Sequence, residues 1–386
     1  MRERFDIDSL WCAGMKTIAV SESVRGKIGD VLEEMGYTVA VVKCSSEDEP
    51  VIEEDAVDAM FLMSFPGIFS KPNSMLSALE RERKQVVGRD NIVPKVKQWV
   101  HVPSAGLNHV SKMFEKSTFM TSGAEKDGAI KLTHTPGVQG LPMGEYVVAH
   151  ILSSSKKIPA HMIAQSEQSW EPMKIKQRSL RDQVVGLLGC GGIGLHVARL
   201  MKGFGVKTLG TKRSVSAHFV SADDDSLDEY DSLVTEWYPS DDASMIEVFS
   251  RSDYVVCCLP LSPATKHCIT TRHFEALGKQ GTFINVSRGD VVDQGALIDA
   301  LEKETIEWAI LDVTTPEPLP TDHRLWTTKN VSITAHDSWK TDESEERIFE
   351  NFLDNARRFI KDEALVAEVE HLDNAVSYNV KRHHMA

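Results

Sequence analysis

Positive charge is in short supply. Lysine and arginine number 43 against 57 acidic residues, leaving a net charge of −14. That balance supplies no general attraction to phosphate backbones or anionic membrane surfaces, so neither nucleic acid nor membrane is expected as a partner. Long apolar runs are missing too: stretches such as Ala59–Met63 are far too short to cross a bilayer. The opening residues Met1-Arg2-Glu3-Arg4-Phe5-Asp6 carry acids and no apolar core, unlike a secretory signal. Residues 1 to about 14 read as an extension ahead of the first strand, and the chain as cytoplasmic. Cysteine is scarce: Cys12, Cys44, Cys190, Cys257, Cys258 and Cys268 are the six present, and none has metal-ligand spacing with histidines. Buried, reduced thiols and no metal site are expected.

What is present is alternation. From residue 15 onward strand-like and helix-like segments take turns. Thr17–Val20, Thr38–Val42, Ala59–Met63 and Gln98–Val102 read as strands, and Val24–Met35 as a helix stopped by Gly36. An apolar helix over Met143–Leu152, containing Glu145, leads into a second series. Its strands are Val184–Leu188, Lys207–Leu209, Tyr254–Leu259, Thr282–Val286, Trp308–Leu311 and Val331–Thr334. Such alternation implies parallel sheets covered by helices on both faces. Residues 222–243, rich in Asp, Ser and Glu, read as a solvated surface insertion. The closing helix, Asp342–Asp362, carries Ile348, Phe349, Phe352, Leu353, Ala356, Phe359 and Ile360 on one stripe. That stripe calls for a partner in the first domain. The first domain is then discontinuous, 1–141 with 341–386 around 142–340, and a doubly joined pair can hinge.

Within the second series, the strand Val184–Leu188 runs straight into Gly189-Cys190-Gly191-Gly192-Ile193-Gly194, and a helical pattern follows. This is GxGxxG in its required context, between a strand and a helix. Gly189 permits the tight turn, Gly191 lets backbone approach a pyrophosphate, and Gly194 lets helix and strand pack. The diphosphate would sit on the free N–H groups of Gly192, Ile193 and Gly194 at the helix start. No Asp or Glu occurs between Gly194 and Asp223 to accept from ribose hydroxyls. The expected position holds Lys212, followed by Arg213 and Ser214. Two cations and a hydroxyl there suit a 2′-phosphate, so NADP(H) is the preferred cofactor and NAD(H) a possible one.

Three further segments place a polar residue after a strand: Arg288 in Asn285-Val286-Ser287-Arg288, Glu317 in Asp312-Val313-Thr314-Thr315-Pro316-Glu317, and His336 in Thr334-Ala335-His336. Singly, each reads as a cap, a turn residue or a core histidine. Together, after successive strands of one sheet, they converge on the ligand crevice of an open α/β fold. Reducing a 2-oxo acid needs a cation to hold the carboxylate and polarise the carbonyl, an acid to protonate its oxygen, and a carboxylate to orient that acid. Arg288, His336 and Glu317 meet these needs in that order.

With these segments the chain resembles the D-isomer-specific 2-hydroxyacid dehydrogenases, and most of all the glyoxylate/hydroxypyruvate reductases, over about residues 15–370. Further likeness lies in Val102-Pro103-Ser104-Ala105-Gly106-Leu107-Asn108, in Thr135-Pro136-Gly137-Val138-Gln139 with Pro142 and Glu145, and in Leu259-Pro260 through Thr265. The resemblance implies a Rossmann cofactor domain (142–340) inserted into a flavodoxin-like substrate domain, both doubly wound α/β sheets. It implies that Arg288 binds substrate, Glu317 supports His336, and His336 donates the proton. It implies that Asp312 holds the nicotinamide carboxamide and that Leu259, Pro260 and Val286 border the cofactor. It implies that N–H groups near Ala105-Gly106 and Gly67 take the substrate carboxylate, and that the enzyme is a homodimer.

The chain departs from the family's pattern at Ala335-His336-Asp337-Ser338-Trp339, where Asp337 adds an anion beside the histidine and Trp339 is large. An alternative reading of the same residues is a nicotinamide-nucleotide-sensing, corepressor-like binding protein of this fold. The absence of long Ser/Pro-rich tails and the basic pair Lys212-Arg213 count against it.

Overall fold

The computed structural model describes residues 16–35, 37–43, 51–52, 59–61, 99–106, 131–170, 176–213 and 232–368. The chain divides into two compact units: residues up to Pro136 together with those from Glu345 onward, and Gly137–Ser344.

The first unit holds a sheet of β1 (Lys16–Ser21), β2 (Tyr37–Lys43), β3 (Val51–Ile52), β4 (Ala59–Phe61), β5 (Trp99–Val102) and β6 (Lys131–His134), in the order β3-β2-β1-β4-β5-β6. All pairings are parallel except β2 with β3, a short antiparallel edge. Helix α1 (Glu22–Glu34) joins β1 to β2. Neither β3 nor β6 was expected. Lys131-Leu132-Thr133-His134 carries polar side chains on what becomes a buried strand, so periodicity hides it. The closing helix runs from Asp342 to Ile360, and its apolar stripe meets β5. Phe352 stacks on Trp99 at 5.4 Å between ring centroids and Phe359 lies 5.5 Å from the same indole. The Tyr37 hydroxyl donates to the Ala356 carbonyl at 2.8 Å, closing the helix onto β2.

The second unit is a seven-stranded, wholly parallel sheet in the order β13-β12-β11-β10-β7-β8-β9. Its strands are β7 (Val184–Leu188), β8 (Lys207–Lys212), β9 (Glu236–Pro239), β10 (Tyr254–Cys257), β11 (Thr282–Asn285), β12 (Trp308–Leu311) and β13 (Val331–Ile333). This is the Rossmann order, which reverses between β7 and β10. Alternate residues face two cores. Leu188, Val255, Cys257, Phe283 and Leu311 enter one, and Val185, Leu187, Tyr254, Val256, Ile284 and Ile310 the other.

One expectation is corrected. Residues 222–243 are not a single solvated insertion: within them Leu233 and Val234 are buried and Glu236–Pro239 forms the edge strand β9, paired with β8. The edge position explains the miss, because among the described residues β9 is the last strand of its sheet, where Glu236 and Pro239 are tolerated. The helix Asp242–Ser250 starts at the end of the same stretch, capped by the Asp241 side chain, which accepts from Ser244 N. Among the described residues, no helix is long and apolar enough to cross a membrane.

Candidate active site

The turn beyond β7 is built for close approach. Gly189 has φ +77°, and a Cβ there would lie 3.1 Å from the Cys258 carbonyl and the Leu259 Cα. Only glycine serves at a position that is both left-handed and pressed against the residues following β10. The turn is anchored to the end of β8, since Gly189 N donates to Thr211 Oγ1 and Cys190 N to Thr211 O. Helix Gly192–Lys202 starts at once, and its first helical bond runs from Leu195 N to Gly191 O. The N–H groups of Gly192, Ile193 and Gly194 therefore have no acceptor inside the helix. No atom stands within 4 Å of the place where a Gly191 Cβ would be, and no acid occupies the first turn. Open space, unengaged amides and a helix N-terminus together fit a diphosphate.

Lys212 ends β8, half-buried, with its ammonium 4.1 Å from the centre of the Trp237 ring on β9. Arg213 follows, exposed, and Ser214 lies outside the described residues. Trp237 was not singled out from sequence. Among the described residues its indole nitrogen is buried without a hydrogen-bond partner, and its ring covers Gly210. Leu259 is buried and Pro260 half-buried, its carbonyl accepting from Thr265 Oγ1 at 2.5 Å. Val286 is buried in the sheet core.

Beyond β11, β12 and β13 the three polar residues gather. His336 Nδ1 lies 2.9 Å from Glu317 Oε2. The other oxygen of Glu317 accepts from Thr314 N at 3.0 Å. Burial by itself would raise the Glu317 carboxyl, but the bond and charge of His336, the Thr314 N–H and the charge of Arg288 outweigh it and hold the group below its ordinary value. Arg288 is close enough to be felt there, and its guanidinium also donates to the Ser287 carbonyl at 2.7 Å. The turn that carries it is stapled by Asn285, which accepts from Ser287 N and donates to Arg288 O. At Gly289 a Cβ would overlap the Thr314 carbonyl, so glycine lets the Arg288 turn abut the one leading to Glu317.

His336 sits at φ +57°, a left-handed conformation that few residues other than glycine adopt. Its surroundings hold it there. His336 N donates to Asp312 O at 2.9 Å, and Trp339 Nε1 donates to His336 O at 3.1 Å. The buried Asp312 carboxylate collects the following peptides: Oδ1 accepts from Thr334 Oγ1 (2.6 Å), Asp337 N (3.1 Å) and Ser338 N (3.2 Å), and Oδ2 from Ser338 Oγ (2.5 Å). Tyr146 extends the network through Thr334 Oγ1 at 2.8 Å, and burial pushes its hydroxyl up to about 12. The side chain of Asp337 is exposed. Asp312 thus organises the loop bearing His336, a role no local motif announces.

Ala105 and Gly106 belong to the first unit, in the turn after β5, both partly exposed. Gly67 lies outside the described residues.

The chain is similar to known proteins. The model of the D-isomer specific 2-hydroxyacid dehydrogenase NAD binding domain matches residues 148–338. Human glyoxylate reductase/hydroxypyruvate reductase is 31% identical over 244 residues, 62% of this chain and 70% of that protein. Human D-3-phosphoglycerate dehydrogenase is 26% identical over 371 residues, 96% of this chain and 61% of its own length. Among solved structures, an NADPH-dependent glyoxylate/hydroxypyruvate reductase from Sinorhizobium meliloti, in complex with NADP and sulfate, superimposes with a TM-score of 0.66 at 21% identity, over 92% of this chain and 98% of that one. A D-isomer specific 2-hydroxyacid dehydrogenase from Xanthobacter autotrophicus, in complex with NADPH and MES, does so with a TM-score of 0.67 at 22% identity, over 94% of this chain and all of its own. The structures establish the shared fold, and the stretch held in common with the human reductase establishes more: the chain belongs to the D-isomer specific 2-hydroxyacid dehydrogenase family and is an oxidoreductase.

Proposed function

We propose that the protein is an NADP(H)-preferring reductase that converts a small 2-oxo acid, glyoxylate or hydroxypyruvate in type, to the D-2-hydroxy acid. The observation that carries the reading is the 2.9 Å contact between His336 Nδ1 and Glu317 Oε2, with Arg288 beside them. Bound NADPH supplies the hydride. The residues of the chain do the rest. Glu317 accepts from Nδ1 and so leaves His336 Nε2 to deliver a proton to the carbonyl oxygen. The Arg288 guanidinium polarises that carbonyl and pairs with the carboxylate, while the N–H groups of Ala105, Gly106 and Gly67 hold the carboxylate.

The amides of Gly192, Ile193 and Gly194 would hold the cofactor's diphosphate, Lys212, Arg213 and Ser214 its 2′-phosphate, and Leu259, Pro260 and Val286 would border it. The resemblance gives Asp312 the nicotinamide carboxamide, and in this structure both of its carboxylate oxygens accept from Thr334, Asp337 and Ser338. In this reading the unit around 142–340 is the cofactor domain and the discontinuous unit the substrate domain. A homodimer formed through the second unit is supported by helix Ile158–Ser166, which has no buried residue and exposes Met162 and Ile163.

The test is a reductase assay with NADPH and NADH against glyoxylate, hydroxypyruvate, pyruvate, 2-oxoisocaproate and phenylpyruvate, run on wild type and His336→Ala. His336→Ala should lose roughly 10²- to 10⁴-fold in kcat while still binding NADPH. Full turnover in that variant, or no turnover of any of the five acids by wild type, would refute the reading.

A further inference from the structure

In the turn after β5, three successive peptide carbonyls are tied down, all within the first unit. Ser104 O accepts from Thr135 N at 3.3 Å, Ala105 O from His134 Nδ1 at 3.1 Å, and Gly106 O from Ser104 Oγ at 2.7 Å. A trans peptide points its carbonyl and the following N–H in opposite directions. Fixing the Ser104 and Ala105 carbonyls toward β6 therefore turns the N–H groups of Ala105 and Gly106 away from that strand. Neither N–H donates to any group among the described residues. Two adjacent amides aimed the same way make a small anion-holding surface.

We infer that His134 is a positioning residue that holds the Ala105 and Gly106 amides in place for the carboxylate of the 2-oxo acid. The inference rests on the reading of that turn as substrate-binding. His134 is suited to the task by its place and by its state. It is the last residue of β6, in register with Val102 at the end of β5. Burial pushes its imidazole down to about 4, so at neutral pH the ring is uncharged, and the nitrogen facing a carbonyl must carry the hydrogen.

The strand ends beneath are themselves locked. Trp99 Nε1 donates to Thr133 Oγ1 at 2.8 Å, and Thr133 Oγ1 lies 2.8 Å from His101 Nδ1. His101 Nε2 lies 3.0 Å from Thr135 Oγ1. Both ring nitrogens of His101 face threonine hydroxyls, Thr133 on β6 and Thr135 just beyond it. One run of hydrogen bonds thus crosses from β5 to β6 and ends at Thr135, whose N–H holds Ser104. His134 adds a side-chain bond that reaches the Ala105 carbonyl from β6.

The experiment measures kcat and KM for glyoxylate and hydroxypyruvate, and KM for NADPH, in wild type, His134→Ala, His134→Asn and Ser104→Ala. Loss of one neutral hydrogen bond from the turn should raise the KM of the 2-oxo acid in His134→Ala on the order of tenfold. The KM for NADPH and kcat should stay within about twofold, because ground-state and transition-state binding weaken together. His134→Asn, whose amide can donate to the same carbonyl, should recover most of the loss. Ser104→Ala, which frees the next carbonyl, should show a smaller rise in the same direction.

Equal behaviour of His134→Ala and His134→Asn, or a KM for NADPH that rises in step, overturns the inference. Should His134→Ala fail to fold, an unchanged 2-oxo acid KM in His134→Phe, which fills the same space without a donor, overturns it. Wild type that reduces 2-oxo acids alongside an unaffected His134→Ala removes this inference alone. Wild type that reduces none of them removes the reading of the site, and this inference with it.

Discussion

The indole N–H of Trp339 donates to the carbonyl oxygen of His336 at 3.1 Å, three residues back along the same loop. Together with the bond from His336 N to Asp312 O, it secures both peptide groups of a histidine held at φ +57°. Trp339→Phe keeps a large ring and removes only the donor. It should lower kcat about five- to tenfold, the worth of one neutral hydrogen bond, with NADPH affinity unchanged. Steady-state kinetics with a fluorescence titration of NADPH checks this, and wild-type kcat in the variant would show that the bond does not steer His336.

Glu317 is predicted to act as a carboxylate throughout the working pH range. Its folded-state carboxyl lies below the usual 4.5, so it stays ionised as pH falls through that value. Its contribution to folding is present above the unfolded value and lost only as pH drops through the lower folded one. With its side chain 37% exposed, that contribution is small, and the larger effect is on turnover. Glu317→Gln removes a charged acceptor, and kcat should fall about 10- to 150-fold between pH 6 and 8. A pH–rate profile within twofold of wild type would mean that the two residues are not coupled.

Cofactor choice should follow Lys212. A charged contact to the 2′-phosphate is worth roughly 1.5–3 kcal/mol, or about 10- to 150-fold in kcat/KM for NADPH over NADH. Added salt should narrow the gap, because the group stands at a partly exposed strand end. Lys212→Asp should reverse the order by restoring a ribose acceptor and repelling phosphate. Equal use of NADPH and NADH by wild type at low salt would reduce Lys212 and Arg213 to a solvated strand end.

Acid should weaken the first unit before it touches the second-unit site. Burial, reinforced by the charge of His134, pushes His101 down to about 3, and burial pushes His134 down to about 4. The unfolded chain takes up protons at each from about pH 6.5 downward, while the folded chain does not. Stability is therefore intact above pH 6.5 and declines as pH falls toward those folded values. From pH 6.5 to 5 the decline is at most about 2 kcal/mol per histidine. Urea unfolding at the two pH values measures it, and in His101→Gln the pH dependence should shrink by about half. Equal stability at both pH values in wild type would disprove the burial of the two rings.

Much of the second unit could be read directly, because strands buried on both faces appear as short apolar runs. Val184–Leu188 and Tyr254–Cys257 are examples. The GxGxxG between strand and helix, the basic residue ending β8, and the strand-end succession of Arg288, Glu317 and His336 were visible for the same reason: each follows a strongly patterned element. Strand β6 was not visible, since Thr133 and His134 are polar and are paid for by hydrogen bonds to residues some thirty positions away. Strand β9 was hidden by its edge position.

What the sequence determined by itself, then, was the parallel α/β architecture, the nucleotide turn and the identities of the residues at the strand ends, because these rest on local spacing and residue chemistry. The tertiary structure alone decided that His336 meets Glu317 at 2.9 Å, that Asp312 gathers Thr334, Asp337 and Ser338, that Lys212 lies over Trp237, and that His134 reaches Ala105. Those partners lie 19 to 29 residues apart in the chain. They meet through the register of neighbouring strands and the path of the loops beyond them, and residue spacing alone encodes neither.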